Sequence, residues 1–359
     1  MTQNQDWTPM IPITFLMCSE RSGSNFTTAL MNGHEAVSGP PPTHMFRLFG
    51  LNHERYEPIA DDRNWEAFKA DFTEAFGAMP GAWSRNMDPS AFDLAPADRS
   101  IAAVLTATYS AECAADGAQQ AFVKENQLYG FVPFIVANWP EARIVHQIRD
   151  PRDMVLSWLR TQNMQGGLGC AVSQWIDDQQ SGLDALGRWL EPSRVFRVRY
   201  EDILADPQNE LERLCRFVGV SFSAEMLDFH KNDRTRTNAS MLGAWANLDK
   251  PILSENSRKY REGLTAPEIE YVELRCADLM AQFGYSLDSD AASRPAEERV
   301  ARCEQLGPDV RLTKPHAYES ASDEAMRTRR RALIERVTSR VPFKPDTTIT
   351  TDNSQAPNV

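Results

Sequence analysis

Four short runs of β-branched, aromatic and aliphatic residues, separated by helical stretches, constrain this chain more than any other feature. They are Ile13-Thr14-Phe15-Leu16-Met17-Cys18, Ala121-Phe122-Val123-Lys124, Arg143-Ile144-Val145-His146-Gln147-Ile148 and Val195-Phe196-Arg197-Val198-Arg199-Tyr200. Runs this short and apolar read as buried strands. Strands alternating with helices form a parallel sheet, because right-handed crossovers put helices over both of its faces. The predicted class is α/β.

The helix signals agree with that frame. Arg149-Asp150-Pro151 offers an Asp N-cap and a Pro at the first helical position, with Met154, Val155, Trp158 and Leu159 as an apolar face. Asp206-Pro207 opens a helix that carries Leu211, Leu214, Cys215 and Val218 and stops at Gly219. Thr265 with Glu268 forms a capping box before a third, which ends at Gly284. The first two strands are too far apart for a simple crossover, which predicts a helical insertion over 51–116. Three glycines make 163–169 a mobile loop, within a loop and helix (162–190) expected near the acceptor site. The polar stretch 230–257 is expected to act as a lid. The whole folding unit is expected to span 11–286. Residues 1–10 are expected to be disordered, and 287–359 to be a polar, partly disordered extension with a helix near 325–337.

Composition narrows the function. A net charge of −12 argues against nucleic-acid or polyanion binding, which needs a broad basic face, but leaves room for a basic pocket around one small anion. No apolar run is long enough to span a bilayer, and the start lacks the basic and apolar regions of a secretory signal. The six cysteines are scattered without metal-ligand spacing, so they read as reduced thiols of a cytoplasmic protein.

Two segments look built for anions. The first strand ends in Ser19-Glu20-Arg21-Ser22-Gly23-Ser24-Asn25-Phe26-Thr27, ahead of a short helix. Such a turn aims free backbone N–H groups and the positive end of the helix dipole at one point, and Gly23 permits the tight backbone. A polar turn with a solvated Arg would look the same. It is not a Walker A loop, because the spaced glycines and the P-loop lysine are absent. Arg149 ends the third strand, and Ser157 stands eight residues later in the following helix. In a parallel sheet that strand end shares an edge with the first, so Arg149 and Ser157 can meet one phosphate. A surface salt bridge from Arg149 to Asp153 is the plain alternative.

These residues carry a family resemblance. Arg21-Ser22-Gly23-Ser24 resembles the 5′-phosphosulfate loop of sulfotransferases that use 3′-phosphoadenosine 5′-phosphosulfate (PAPS), and Arg149 with Ser157 resembles their 3′-phosphate site. Arg199-Tyr200-Glu201-Asp202 and the segment on to Val220 are similar to a recurrent block of bacterial members, as is Lys259-Tyr260-Arg261 to their carboxy-terminal segment. The resemblance covers 11–286. It implies a P-loop-like three-layer fold and PAPS as the donor, held by Arg21, Ser22, Gly23, Ser24, Asn25, Phe26, Arg149, Ser157, Tyr200, Lys259 and Tyr260.

Sulfuryl transfer requires in-line geometry, stabilisation of the leaving oxygen and a base for the acceptor proton. A sulfuryl group carries less charge than a phosphoryl group, and no carboxylate or His cluster has metal-ligand spacing, so the expected mechanism needs no metal. Arg21 is the expected stabiliser of the bridging oxygen. Lys124 resembles the family lysine that contacts the sulfuryl group. In the cytosolic branch a His stands two residues further on, where this chain has Asn126. Some bacterial relatives use a Glu after the first helix; here that segment offers His44, with Glu125 as the substitute base. His146, mid-strand, reads as core. Competing readings are a nucleotide-dependent kinase and a non-catalytic nucleotide-binding protein. The acceptor group is a hydroxyl or an amine, and its carrier stays open among a small molecule, a carbohydrate and a lipid-linked sugar, as does a homo-oligomer. Trp65, Phe68, Phe72, Trp83 and Trp175 line its pocket or belong to the core.

Overall fold

The computed structural model describes residues 11–79, 81–84, 99–162, 164–306, 318 and 320–343. The expectations for 1–10, for Asn163 and for the end of the chain from 347 lie outside them. Strands β1 (Ile13–Cys18), β2 (Val37–Ser38), β3 (Gln120–Asn126), β4 (Arg143–Ile148) and β5 (Val195–Arg199) form one parallel sheet in the order β2-β3-β1-β4-β5. Between β1 and β3 lie α1 (Ser24–Asn32), α2 (Met45–Asn52), α3 (Asp62–Gly77) and α4 (Ile101–Asp116), and α5 (Val132–Asn138) leads into β4. Helices α6 (Pro151–Arg160) and α7 (Leu168–Trp189) join β4 to β5. After β5 come α8 (Tyr200–Ala205), α9 (Pro207–Val218), α10 (Asp233–Met241), α11 (Tyr260–Gly263), α12 (Ala266–Gln282), α13 (Ala296–Leu306) and α14 (Ala321–Ser339).

The local signals act as expected. Asp150 accepts the Arg152 N–H at the start of α6, Gly219 ends α9 with φ 96°, and Thr265 and Glu268 close the capping box of α12. Five differences stand out. β3 runs on to Asn126, so Lys124 lies inside it, while Tyr200 leaves β5 to start α8. β2 is too short for alternation to show in a sequence. The stretch 230–257 is not featureless: it holds α10 and short 3₁₀ turns. α13 has one buried residue, Cys303, and hence little apolar periodicity to read.

Strand alternation sorts the core into two faces. Phe15 and Met17 of β1 pack with Phe46 and Phe49 of α2 and Val104 and Leu105 of α4, whereas Leu16 packs with Leu30 of α1 and Leu211 and Leu214 of α9. On β3, Val123 belongs to the first face and Phe122 to the second. The period of two therefore turns Glu125 toward α2 and α4, and Lys124 and Asn126 toward α1.

Strands β1, β3, β4 and β5 end at one edge of the sheet, whereas β2 stops level with the start of β3. Cys18 is level with Asn126 on one side and Gln147 on the other, and Ile148 is level with Arg199. The connection leaving β1 runs to one side, toward β2, and the one leaving its neighbour β4 runs to the other, toward β5, which opens a crevice beyond their carboxyl ends.

Helix α14 returns across the molecule to α2 and α3. Its Leu333 and Val337 are buried. Arg336 donates to Asp71 of α3 at 2.9 Å and pairs with Glu74, and Arg340 also pairs with Asp71, which is itself buried and accepts the Tyr56 hydroxyl. Beyond the helix, Phe343 and Asn64 exchange two hydrogen bonds, of 2.8 and 3.0 Å.

Candidate active site

The crevice is a cleft of about 700 Å³. Among the described residues its walls carry eight Arg and Lys side chains against two carboxylates, Glu20 and Asp153. The chain as a whole is acidic, at −12, so this concentration of cations is local and marks an anion site.

One end is the turn between β1 and α1. Arg21 (φ 61°) and Gly23 (φ 82°) both take the left-handed conformation. A Cβ on Gly23 would lie 2.4 Å from the Tyr200 ring, so both backbone and space require glycine here. β4 holds the turn by its carbonyls: Gln147 donates to Ser22 O at 2.9 Å and Arg149 to Arg21 O at 2.9 Å. A buried chain of hydrogen bonds, His146 to Gln179 (3.0 Å) and Gln179 to Ser19 Oγ (2.8 Å), anchors its start. With the carbonyls engaged and no side-chain cap on α1, the first N–H groups of α1 are left for a ligand.

Arg149 is nearly buried, 4.7 Å from the Tyr200 ring, and also donates to Asn256 O at 3.3 Å. Asn256 in turn donates to the Tyr200 hydroxyl at 2.7 Å. Arg21 Nε donates to Ser157 Oγ at 3.1 Å, so Arg21, Arg149 and Ser157 form one connected group across the cleft. Asp153 is no partner of Arg149 in a salt bridge. It accepts from the Arg258 and Tyr260 N–H groups instead. Buried polar atoms remain open around this group: Thr27 Oγ1, Asn25 Oδ1 and Arg149 Nε have no hydrogen-bond partner among the described residues. Orphans in such number at a cationic turn suit a ligand rich in phosphate oxygens.

The other end holds His44 and Glu125, and the structure makes them one pair. His44 Nδ1 lies 2.9 Å from Glu125 Oε2. Glu125 is fully buried, while 21% of the His44 side chain is exposed and lines the cleft. Its Nε2 has no hydrogen-bond partner among the described residues. His44 precedes α2 with φ 56°, and this costly backbone is held from both sides. The Met45 N–H donates to Thr43 Oγ1 (3.2 Å), which meets the Tyr109 hydroxyl (3.2 Å), and Arg330 of α14 donates to Thr43 O (3.2 Å). Burial pushes the Glu125 carboxyl up to about 7 against the pull of Lys124, Arg47 and Arg330. Burial, then Lys124, Arg330 and Arg47, holds the His44 pKa well below its ordinary value. At neutral pH the imidazole is uncharged, as a base must be.

Lys124 is nearly buried and lines the cleft with Asn126. Asn126 accepts from Cys18 Sγ and donates to Glu20, each at 3.5 Å, which braces the first turn.

Of the other sequence-predicted site residues, Ser24, Asn25, Phe26, Tyr200 and Lys259 line the cleft. Ser22 and Tyr260 do not. Ser22 contributes its carbonyl to the turn, and the Tyr260 ring lies over Arg152 while its hydroxyl donates to Asp288. Trp65, Phe68, Phe72 and Trp175 are core, and the Trp83 indole donates to Pro41 O; none of the five reaches the cleft. The cleft is finished by residues that sequence reasoning missed: Arg47, Leu48 and Leu51 of α2, Trp245 and Asn256 of the covering segment, and Met326, Arg330 and Ile334 of α14. Arg47 stands three residues beyond His44, a helical spacing that could have found it. Nothing local marks Arg330 within its run of arginines.

Comparison with known proteins covers most of this framework. Residues 12–224 match the profile of the Sulfotransferase family. Carbohydrate sulfotransferase 3 of Homo sapiens is 26% identical over 176 residues, 43% of this chain and 35% of that protein. The omega-hydroxy-beta-dihydromenaquinone-9 sulfotransferase Stf3 of Mycobacterium tuberculosis is 26% identical over 110 residues, 27% of this chain and 28% of that protein. The matches thus span about a third of the length of these curated relatives. The sulfotransferase domain of the Synechococcus PCC 7002 olefin synthase is 23% identical with a TM-score of 0.55, over 80% of this chain and 99% of that one. At that identity the likeness is one of fold.

Proposed function

The chain belongs to the sulfotransferase family, and from that premise we propose that it transfers a sulfuryl group from PAPS to a hydroxyl acceptor. The observation that carries this reading is the connected group of Arg21, Arg149 and Ser157, with unpartnered Asn25 Oδ1 and Arg149 Nε in the walls of the same cleft. The turn and the N-terminus of α1 take the 5′-phosphosulfate, and Arg149 and Ser157 take the 3′-phosphate. Tyr200, Phe26 and Lys259 flank that donor site.

His44 and Glu125 supply the base as a pair. When Glu125 is ionised it accepts the Nδ1 proton of His44, which leaves the Nε2 lone pair toward the cleft. The acceptor oxygen forms its bond to sulfur while the bond from sulfur to the 5′-phosphate oxygen breaks. The acceptor proton goes to Nε2, and the leaving oxygen takes up charge beside Arg21 and Lys124. Asn126 holds the turn rather than a proton.

The relatives' names speak of carbohydrate and of a lipid-like menaquinone, which supports an acceptor of one of these kinds. No helix among the described residues is long and apolar enough to cross a membrane. All six cysteines are free, which suits a reducing compartment such as the cytoplasm.

A thermal-shift titration with 3′-phosphoadenosine 5′-phosphate (PAP) on wild type and Arg149→Ala tests the donor reading. At 100 times the Kd the wild type should gain about 2.7 kcal/mol of stability and the variant much less. Equal responses from the two proteins, or a stronger response to ATP than to PAP, would remove the assignment.

A further inference from the structure

Two cations at the His44 end of the cleft take no part in holding the donor. Arg47 of α2 and Arg330 of α14 both line it beside His44. The Arg47 guanidinium has no hydrogen bond or ion pair among the described residues, and Arg330 makes one hydrogen bond, to Thr43 O at 3.2 Å. Their nearest carboxylate, Glu125, is buried and engaged with His44. Burial lowers the Arg330 pKa, Glu125 offsets part of that, and Arg47 and Arg327 lower it further. Guanidinium groups held this close repel one another, at a cost that a bound anion would cancel.

The same end of the cleft has an apolar lining. Leu48 and Leu51 of α2 and Met326 and Ile334 of α14 all line it, and Leu51 and Ile334 stay 50% and 39% exposed. Large aliphatic side chains left in water around an otherwise polar cleft mark where a ligand's apolar part rests.

We propose that the α2–α14 end is an acceptor subsite for an amphipathic oxyanion, whose carboxylate or phosphate, next to the reacting hydroxyl, binds Arg47 and Arg330 while its apolar segment rests on Leu48, Leu51, Met326 and Ile334. This deepens the sulfuryl-transfer reading and rests on it. Because α14 supplies half of the subsite, the carboxy-terminal helix sets acceptor choice.

The test uses three probes that share a tail and a hydroxyl at carbon 2: 2-hydroxydecanoate, 2-hydroxydecyl phosphate and decane-1,2-diol. Each is titrated calorimetrically into the PAP-saturated full chain. At least one anionic probe should bind about tenfold more tightly than the diol, and the better of the two identifies the oxyanion. In Arg47→Gln/Arg330→Gln that preference should shrink to less than about twofold, with PAP affinity kept as the check on folding, and in Arg47→Lys/Arg330→Lys it should partly return. A diol bound as tightly as both anions, or a preference that survives the double Gln variant, overturns the subsite. Failure of PAP to bind wild type is a separate result, and it sinks the donor reading instead.

Discussion

At the donor end of the cleft, Arg21, Gly23 and Arg149 stand within a few residues of strand ends, and the sheet's own parallel register brings them together. At the acceptor end, His44 reaches Glu125 across 81 residues, and Arg330 reaches Thr43 across 287. The first arrangement follows from having a parallel sheet at all, whose strand ends share an edge with free N–H groups. The second follows from how α2, β3 and α14 pack, and a different carboxy-terminal helix would change it without touching the first. Donor binding and acceptor choice should therefore be separable, as a fixed cosubstrate and a variable acceptor demand.

The sharpest way to break this separation is His44→Ala. It should lower the turnover of labelled PAPS by about 10²- to 10⁴-fold, the usual share of a general base, and leave PAP affinity within about twofold. If affinity falls in parallel, the two ends are one site. The converse is Arg149→Ala, which should weaken PAP binding by about 10- to 100-fold in calorimetry, since a hydrogen bond to a charged group contributes about 1.5–3 kcal/mol. Binding that stays at the wild-type value would mean the 3′-phosphate lies elsewhere.

A third test concerns pH. Below about 7 Glu125 holds its proton and donates it to His44 Nδ1. That places the remaining ring proton on Nε2 and removes the base. Turnover should thus rise with pH through about 7, about 25-fold between pH 5.5 and 7.5, while PAP affinity need not follow. In Glu125→Gln the rising limb should disappear along with most of the activity. A limb unchanged in that variant would separate Glu125 from the base. The smallest expected effect lies in the docking of α14. Arg340→Ala leaves Asp71 with Arg336 as its remaining ion-pair partner and should cost about 1–2 kcal/mol in urea unfolding. Affinity for the anionic probes should fall a few-fold and PAP affinity should hold. Equal losses in both would show that α14 supports the whole cleft.

How far the sequence could be read follows the same division. The strand runs, the Asp150 and Thr265 caps and the Gly219 stop are local, each a matter of one residue's own backbone preference or period, and they stand where the residues put them. Arg21 and Gly23, and Arg149 with Ser157, were legible because their spacing is carried on a strand end and the helix after it. His44 and Glu125 read as alternatives in the sequence because 81 residues separate them. Period two on β3, once the strand is known to run through to Asn126, turns Glu125 to the face that α2 covers. The contact that turns the Tyr260 ring onto Arg152, and away from the cleft, joins residues 108 apart and leaves no local signal.

The sequence by itself therefore determined the α/β class and the anion-binding turn, because covalent neighbours and strand or helix period suffice for both. Only the tertiary structure decided that His44 and Glu125 meet as a pair and which cations and aliphatic residues share the cleft with them. Those depend on which faces of distant elements meet. That choice is made by burial of the whole core at once, and no short stretch of sequence carries it.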